Sequence, residues 1–218
     1  MVIFDCNGVL VDSEAVATAV LAEAFADVGL TLNAEAIARR FHGRRPAEMF
    51  AEIERLAGIA LPPNFSSRIT AKTLRRIRTE LRPIPHVAHA LTWLRGLKAV
   101  ASSSPLDRIC TSLHAAGLTR FFGSRLFSAS EVAKGKPAPD LYRFAAARMR
   151  VDPAECIVVE DSVPGVAASV AAGMTPIGFV GGNHAPGRLA SDLVNAGART
   201  VIADMRALKE TIAEIRGW

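Results

Sequence analysis

The chain has 218 residues, of which half are hydrophobic and 22% are charged, and its formal net charge is +5. This composition is typical of a soluble globular protein with one full hydrophobic core and room for a smaller second one. The first ten residues carry no basic segment, and no stretch of about 18 residues is apolar without a charge. We therefore expect neither secretion nor membrane insertion.

The cysteines bear on the compartment. Cys6, Cys110 and Cys156 are odd in number, widely spaced and in no CxxC pair. Such usage fits a reducing compartment better than a disulfide framework. We expect a cytoplasmic protein, and nothing in the sequence requires more than a monomer.

The positive charge raises the question of nucleic-acid binding. Most arginines are interleaved with acidic residues on helix-like stretches, and two basic clusters stand out, at residues 39–45 and 72–82. We interpret both as solvated helix faces, with a lid that attracts an anionic substrate as the alternative. We expect no nucleic-acid partner.

Short apolar runs alternate with stretches that have helical periodicity, which predicts a parallel α/β sheet. The predicted strands are Met1–Phe4, Leu97–Ala101, Arg125–Phe127, Cys156–Val159, Thr175–Phe179 and Thr200–Ile202. The predicted helices between and after them are Pro105–Ala116, Pro139–Met149, Gly165–Ala172 and Met205–Arg216, with Gly117 and Gly173 as C-caps.

Residues 14–85 depart from this alternation because they contain helical patterns and no convincing strand. The predicted helices there are Ala15–Val28, Ala34–Phe41, Ala47–Leu56 and Ser66–Leu81. We predict a helical cap domain at 14–85, inserted into an α/β core made of residues 1–13 and 86–218. Two linker strands, near Asp12–Ala15 and Arg82–His86, are expected to join cap and core.

Acidic residues follow two of the predicted strands. Asp5 follows the first strand, and Glu160 and Asp161 follow Val159. Ligand sites of parallel sheets lie at the carboxyl ends of the strands, so these carboxylates should face one another and repel unless a cation lies between them. Magnesium suits such an oxygen-rich site, although ordinary turns and helix caps are the alternative for each segment alone.

Two further loops are suited to binding phosphate. Ser102 and Ser103 follow a predicted strand just before a helix, where hydroxyls and backbone N–H groups favour an anion. Lys136 lies in a loop that is restricted by Pro137 and Pro139. Together the loops predict a nucleophile, a cation site and two phosphate-binding groups in one crevice.

Four segments in this order resemble the haloacid dehalogenase-like hydrolases with a helical cap, the branch of β-phosphoglucomutases and sugar-phosphate phosphatases. They are residues 4–14, 100–104, 136–140 and 159–165. The resemblance implies a Rossmann-like core and a phosphoric monoester hydrolase that acts on a small phosphorylated metabolite. It also implies that Asp5 attacks phosphorus to form an aspartyl-phosphate, which water hydrolyses.

The resemblance assigns roles to the remaining residues. Magnesium would be held by the carboxylate of Asp5, the backbone carbonyl of Asn7, Asp161 and Glu160. Ser102, Ser103 and Lys136 would bind the transferring phosphoryl group, and Gly8 would allow its close approach. Arg44 and Arg45, and after them Arg68 and Lys72, are candidates for binding the rest of the substrate, while the role of His184 stays open.

Asn7 departs from the family pattern, which has a second aspartate at this position as the acid/base group. An amide cannot cycle a proton, and losing acid/base catalysis typically costs about 10²–10⁴-fold. Asn7 is compatible with a natural member of low activity, with a substituted aspartate or with a sequence error. The alternatives to an impaired phosphatase are a non-catalytic protein that binds phosphorylated metabolites, and a phosphomutase. Ala17 speaks against the mutase, because the resemblance places a histidine there in mutases.

Overall fold

A computed structural model of the chain describes residues 1–31, 33, 46–182 and 187–217. The predicted helix Ala34–Phe41, the candidates Arg44 and Arg45, and His184 lie outside the described residues. None of the described helices is long and apolar enough to cross a membrane.

Six parallel strands form the central sheet, in the order β5-β4-β1-β6-β7-β8. The strands are β1 (Val2–Phe4), β4 (Lys98–Ser102), β5 (Leu126–Ser128), β6 (Ile157–Glu160), β7 (Thr175–Phe179) and β8 (Thr200–Ile202). The order in which strands are added to the sheet reverses at β1, because β4 pairs with one edge of β1 and β6 with the other. In such doubly wound sheets the ligand crevice lies at this switch point. The predicted Rossmann-like sheet is confirmed.

Alternation of side chains along β1 explains why helices cover both faces of the sheet. Val2 and Phe4 belong to one buried cluster and Ile3 to another, as expected for a strand whose successive side chains point to opposite faces. The helices of the core are α4 (Val87–Trp93), α5 (Leu106–Ala115), α6 (Thr119–Phe122), α7 (Asp140–Met149), α8 (Val163–Ala171), α9 (Leu189–Asn195) and α10 (Leu208–Arg216).

The core helices agree with prediction except in their details. Gly117 and Gly173 follow α5 and α8 with φ of 70° and 82°, which confirms them as left-handed helix ends. The helices α4, α6 and α9 were not predicted, because four to seven residues hold too few turns to show a clear period. The predicted helix Met205–Arg216 begins with a 3₁₀ turn.

In the described part of residues 14–85, the helices are α1 (Glu14–Ala26), α2 (Pro46–Ala57) and α3 (Phe65–Glu80). They share a small apolar cluster in which the ring of Phe65 lies 5.2 Å from that of Phe25 and 5.6 Å from that of Phe50. The end of α3 instead inserts the fully buried Ile77 into the main core. The division into cap and core domains stays a prediction.

Two short strands connect these helices to the sheet. β2 (Val11–Asp12) pairs antiparallel with β3 (Arg82–Pro83). They lie where linker strands were predicted, but α1 already begins at Glu14. The chain therefore enters and leaves the helical segment through one narrow ribbon close to the end of β1.

Candidate active site

Asp5 lies at the carboxyl end of β1, where its backbone N–H donates to the carbonyl of Val159 on the neighbouring strand. The residue is only 6% exposed. Burial and the charges of Glu160 and Asp161 raise the pKa of Asp5 to about 8, although Lys136 acts in the opposite direction. The carboxylate therefore needs more positive charge to stay ionised at neutral pH.

Lys136 supplies part of that charge. Its Nζ donates to Oδ1 of Asp5 at 2.6 Å and to Oε1 of Glu160 at 2.5 Å. The lysine side chain is 2% exposed. The two carboxylates outweigh the cost of burial and raise the pKa of Lys136, so its ammonium is charged and lies between them.

Glu160 is completely buried, and both of its oxygens accept hydrogen bonds. One oxygen accepts from Lys136 and from the hydroxyl of Tyr142 at 3.0 Å. The other accepts from the backbone N–H and the hydroxyl of Ser162, at 2.8 and 2.9 Å. In this geometry Glu160 orients the ammonium group of Lys136, a role that the sequence did not indicate.

The sequence predicted no role at the site for two residues that lie next to Glu160. Tyr142 is the only tyrosine of the chain, and it lies fully buried in α7 with its ring centre 5.3 Å from Nζ of Lys136. Gly165 packs so close that a Cβ there would lie 1.7 Å from Oε1 of Glu160. The presence of the single tyrosine of the chain in the first turn of the helix after the Lys-Pro loop was the available signal for Tyr142.

The other side of the loop after β1 holds Asn7 by neutral groups. Its Nδ2 donates to Oγ of Ser104 at 2.9 Å, and its Oδ1 accepts from Oγ of Ser13 at 2.9 Å. Both serines are buried. Gly8, which follows, has φ of 79°, a left-handed value that favours glycine.

The predicted phosphate-binding serines end β4 beside this loop. Ser102 is fully buried, and its Oγ accepts from the backbone N–H of Ser104 at 3.2 Å. Ser103 is partly exposed. Arg68 and Lys72, the weaker specificity candidates, instead pair with Asp27 and Glu23 of α1, at 3.6 and 2.7 Å.

The described part of the chain contains no cluster of three or more His, Cys, Asp or Glu side chains arranged to hold a metal. The oxygen atoms close to Asp5 nevertheless fit a hard cation. Asp161 is 3% exposed and its charge acts on Asp5, whose own raised pKa shows that Lys136 leaves the carboxylate undercompensated. Two carboxylates and a backbone carbonyl, completed by water or phosphate oxygens, are a donor set that Mg²⁺ accepts.

Comparison with known proteins gives the family. A model of the haloacid dehalogenase-like hydrolase family matches residues 1–173. The chain belongs to this family. The predicted family and enzyme class are thereby confirmed. The predicted charged site coincides with the switch point at which doubly wound sheets bind ligands.

Individual members of the haloacid dehalogenase-like family resemble the chain along most of its length. The 6-phosphogluconate phosphatase of Escherichia coli (strain K12) is 30% identical over 184 residues, which cover 84% of this chain and 83% of the relative. A solved haloacid dehalogenase-like protein of unknown function from Agrobacterium tumefaciens str. C58 is 34% identical, with a TM-score of 0.86 and coverage of 99% and 98%. A family hydrolase from Deinococcus radiodurans R1, solved with bound phosphate and sodium, is 35% identical, with a TM-score of 0.78 and coverage of 98% and 94%.

Proposed function

We propose that this chain is a Mg²⁺-dependent phosphatase of small phosphate monoesters, either sugar phosphates or phosphorylated sugar acids, and that Asn7 slows its turnover. The observation that carries the proposal is the buried contact of 2.6 Å between the carboxylate of Asp5 and Nζ of Lys136, at the switch point of the sheet. A buried carboxylate next to a cation is suited to attack a phosphoryl group that the same cation binds. The phosphatase among the relatives supports the same reaction class.

In the proposed reaction an oxygen of Asp5 attacks phosphorus, and the bond between phosphorus and the leaving oxygen breaks. Water then attacks the phosphorus of the aspartyl-phosphate, which releases inorganic phosphate and restores Asp5. Lys136 and the hydroxyls of Ser102 and Ser103 would bind the phosphoryl oxygens, and the left-handed backbone of Gly8 would allow the group to approach closely.

The proposed metal ligands are the Asp5 carboxylate, the backbone carbonyl of Asn7 and Asp161. When bound, Mg²⁺ would supply positive charge to the non-bridging phosphoryl oxygens. Glu160 was also predicted as a ligand, but its oxygens already accept four hydrogen bonds. We therefore propose that Glu160 orients Lys136 instead.

Asn7 is the residue at which the proposed activity is weakened. Its amide is held at both ends by Ser104 and Ser13, so it has the place and shape of an acid/base group. An amide can donate a hydrogen bond, but it is too weak an acid to give a proton to the leaving oxygen and too weak a base to take one from water. The leaving group must then obtain its proton from solvent, which slows both steps.

The decisive test replaces Asn7 by aspartate. Both serine hydroxyls can donate to a carboxylate in the same place, so the Asn7→Asp variant should fold unchanged. We expect phosphate release from sugar phosphates and phosphorylated sugar acids, measured with Mg²⁺, to rise by about 10²–10⁴-fold. Asn64→Asp, an exposed position at the start of α3, is the matched control and should leave the rate unchanged.

The second candidate is a protein that binds phosphorylated metabolites without turnover, and the specific observation in its favour is Asn7 itself. Its expected result is tight, Mg²⁺-dependent binding with no phosphate release from either the parent chain or the Asn7→Asp variant. Binding that is absent from both would contradict both candidates.

A further inference from the structure

One arginine close to the site differs in its hydrogen bonding from a second arginine of the core. Arg108 is the third residue of α5, which follows the serines that end β4. Its Nε–H is buried and donates to no acceptor among the described residues. By contrast, the partly buried Arg125 donates from Nε to the carbonyl of Lys98 at 2.8 Å and from Nη2 to that of Phe121 at 3.0 Å.

A buried Nε–H of a guanidinium without an acceptor is costly, because burial removes its hydrogen bond to water without replacing it. Burial lowers the pKa of Arg108, whereas the nearby carboxylate of Glu14 acts in the opposite direction. Arginine nevertheless stays charged in proteins, so the cost persists in the free protein. An anion that enters the site would offset it.

Two of the groups that act electrostatically on Arg108 belong to the chain segment around Asn7. Glu14 directly follows Ser13, which donates to Asn7, and Cys6 directly precedes Asn7. The segment that leads into α5 contains Ser104, which accepts from Asn7 on its other side. Under the proposed function Asn7 faces the leaving oxygen, and the body of the substrate must therefore extend toward this part of the site.

We propose that Arg108 binds a second anionic group of the substrate, a carboxylate or a second phosphate, in addition to the phosphoryl group held at Asp5. The proposal rests on the proposed function, because it takes the position of the leaving group from it. A guanidinium forms paired hydrogen bonds with either anion. The substrates would then be phosphorylated sugar acids or sugar bisphosphates rather than phosphates of neutral polyols.

Binding to the chain as it is, with Asn7, tests this without turnover. Isothermal titration calorimetry with Mg²⁺ would compare inorganic phosphate, glucitol 6-phosphate, 6-phosphogluconate and fructose 1,6-bisphosphate. We expect one or both ligands with a second anion to bind about 10-fold to 100-fold more tightly than glucitol 6-phosphate. Comparison of 6-phosphogluconate with fructose 1,6-bisphosphate then shows whether the site binds a carboxylate or a second phosphate.

The variant Arg108→Met removes the charge and keeps most of the aliphatic length. We expect the preference for a second anion to fall to within about threefold, and Arg108→Lys to retain part of it. Arg75→Met, an exposed position on α3, controls for the loss of one charge and should keep the full preference. Loss of a side chain whose buried Nε–H is unsatisfied should leave the melting temperature unchanged or raise it.

Three results would overturn the proposal. The first is a preference that persists in Arg108→Met, and the second is an equal loss of affinity for glucitol 6-phosphate in that variant. The third is a melting temperature lowered by more than about 5 °C in Arg108→Met, which would make the arginine structural. If the parent chain binds inorganic phosphate but shows no preference, this inference alone fails. If it binds no phosphate at all, the proposed function fails first.

Discussion

On one side of the loop that follows β1, Asp5 lies against Lys136 and Glu160, and every contact involves a buried charge. On the other side, Asn7 lies between Ser13 and Ser104, and every contact is a neutral hydrogen bond. Buried ion pairs are strongly interdependent, because removing one partner leaves the other charge uncompensated. Neutral hydrogen bonds contribute less, and one of them can change with little effect on the fold. A replacement at the acid/base position is therefore compatible with an intact charged side.

The largest effect is expected from Lys136→Met, which leaves Asp5 and Glu160 buried without their cation. We expect the free energy of unfolding, measured without metal, to fall by about 3–5 kcal/mol. The loss should grow as pH rises above the ordinary carboxylate range. The two carboxyls, whose pKa values would be raised in the folded protein, stay protonated there while those of the unfolded chain ionise.

Lys134→Met is the matched control for this prediction, because Lys134 lies in the same loop but is exposed. Chemical denaturation at pH 5 and pH 8 should show a pH-dependent loss in the free energy of unfolding for Lys136→Met and none for Lys134→Met. If both variants unfold alike, or if the loss for Lys136→Met is independent of pH, the charged side is not interdependent and the comparison breaks down.

Much of the charged side could be predicted from the sequence, whereas its supporting residues could not. Asp5, Ser102 and Lys136 were found because parallel strands end at one edge of the sheet, so residues that follow separate strands meet there. Tyr142 and Gly165 depend on how α7 and α8 pack against β6. Helical periodicity indicates which face of a helix is buried but not which atom it contacts.

The neutral side was less predictable. Asn7 was recognised by comparison with the family pattern, but its partners Ser13 and Ser104 lie 6 and 97 residues away in sequence, and no local signal links them. Arg108 was not considered at all, since an arginine in the first turn of a helix is usually exposed to solvent. Only the burial of its Nε, a tertiary property, distinguishes it.

Gly165→Ala probes how tightly Glu160 is held and should have the second-largest effect. The new Cβ would lie 1.7 Å from Oε1 of Glu160, so the carboxylate must move away from its donors. We expect a loss of about 1–3 kcal/mol in the free energy of unfolding from overpacking. Phosphate release in the Asn7→Asp background should also fall, because Lys136 loses one of its two anchors.

Gly187→Ala is the control for this substitution, since a Cβ at Gly187 meets no atom within 4 Å. Thermal unfolding of the two variants gives the comparison directly. Equal stability of Gly165→Ala and the parent chain would mean that Glu160 can shift freely, and its role in orienting Lys136 would then be lost.

The smallest effect is expected on the neutral side, from Ser13→Ala. This substitution removes the hydroxyl that donates to Oδ1 of Asn7, and Ser13 is fully buried. We expect a loss of about 0.5–1.5 kcal/mol in the free energy of unfolding, well below that for Lys136→Met. Ser191→Ala, which removes an exposed hydroxyl bound to the carbonyl of Arg188, should change the stability by less than about 0.5 kcal/mol.

The same Ser13→Ala change in the Asn7→Asp background should also lower the rate of phosphate release, because the hydroxyl then orients a group that moves protons. The loss in activation free energy should exceed the loss in the free energy of unfolding. An unchanged rate would mean that Ser13 contributes only to packing. The two sides would then differ because the charged side takes part in the reaction and the hydrogen bond from Ser13 does not.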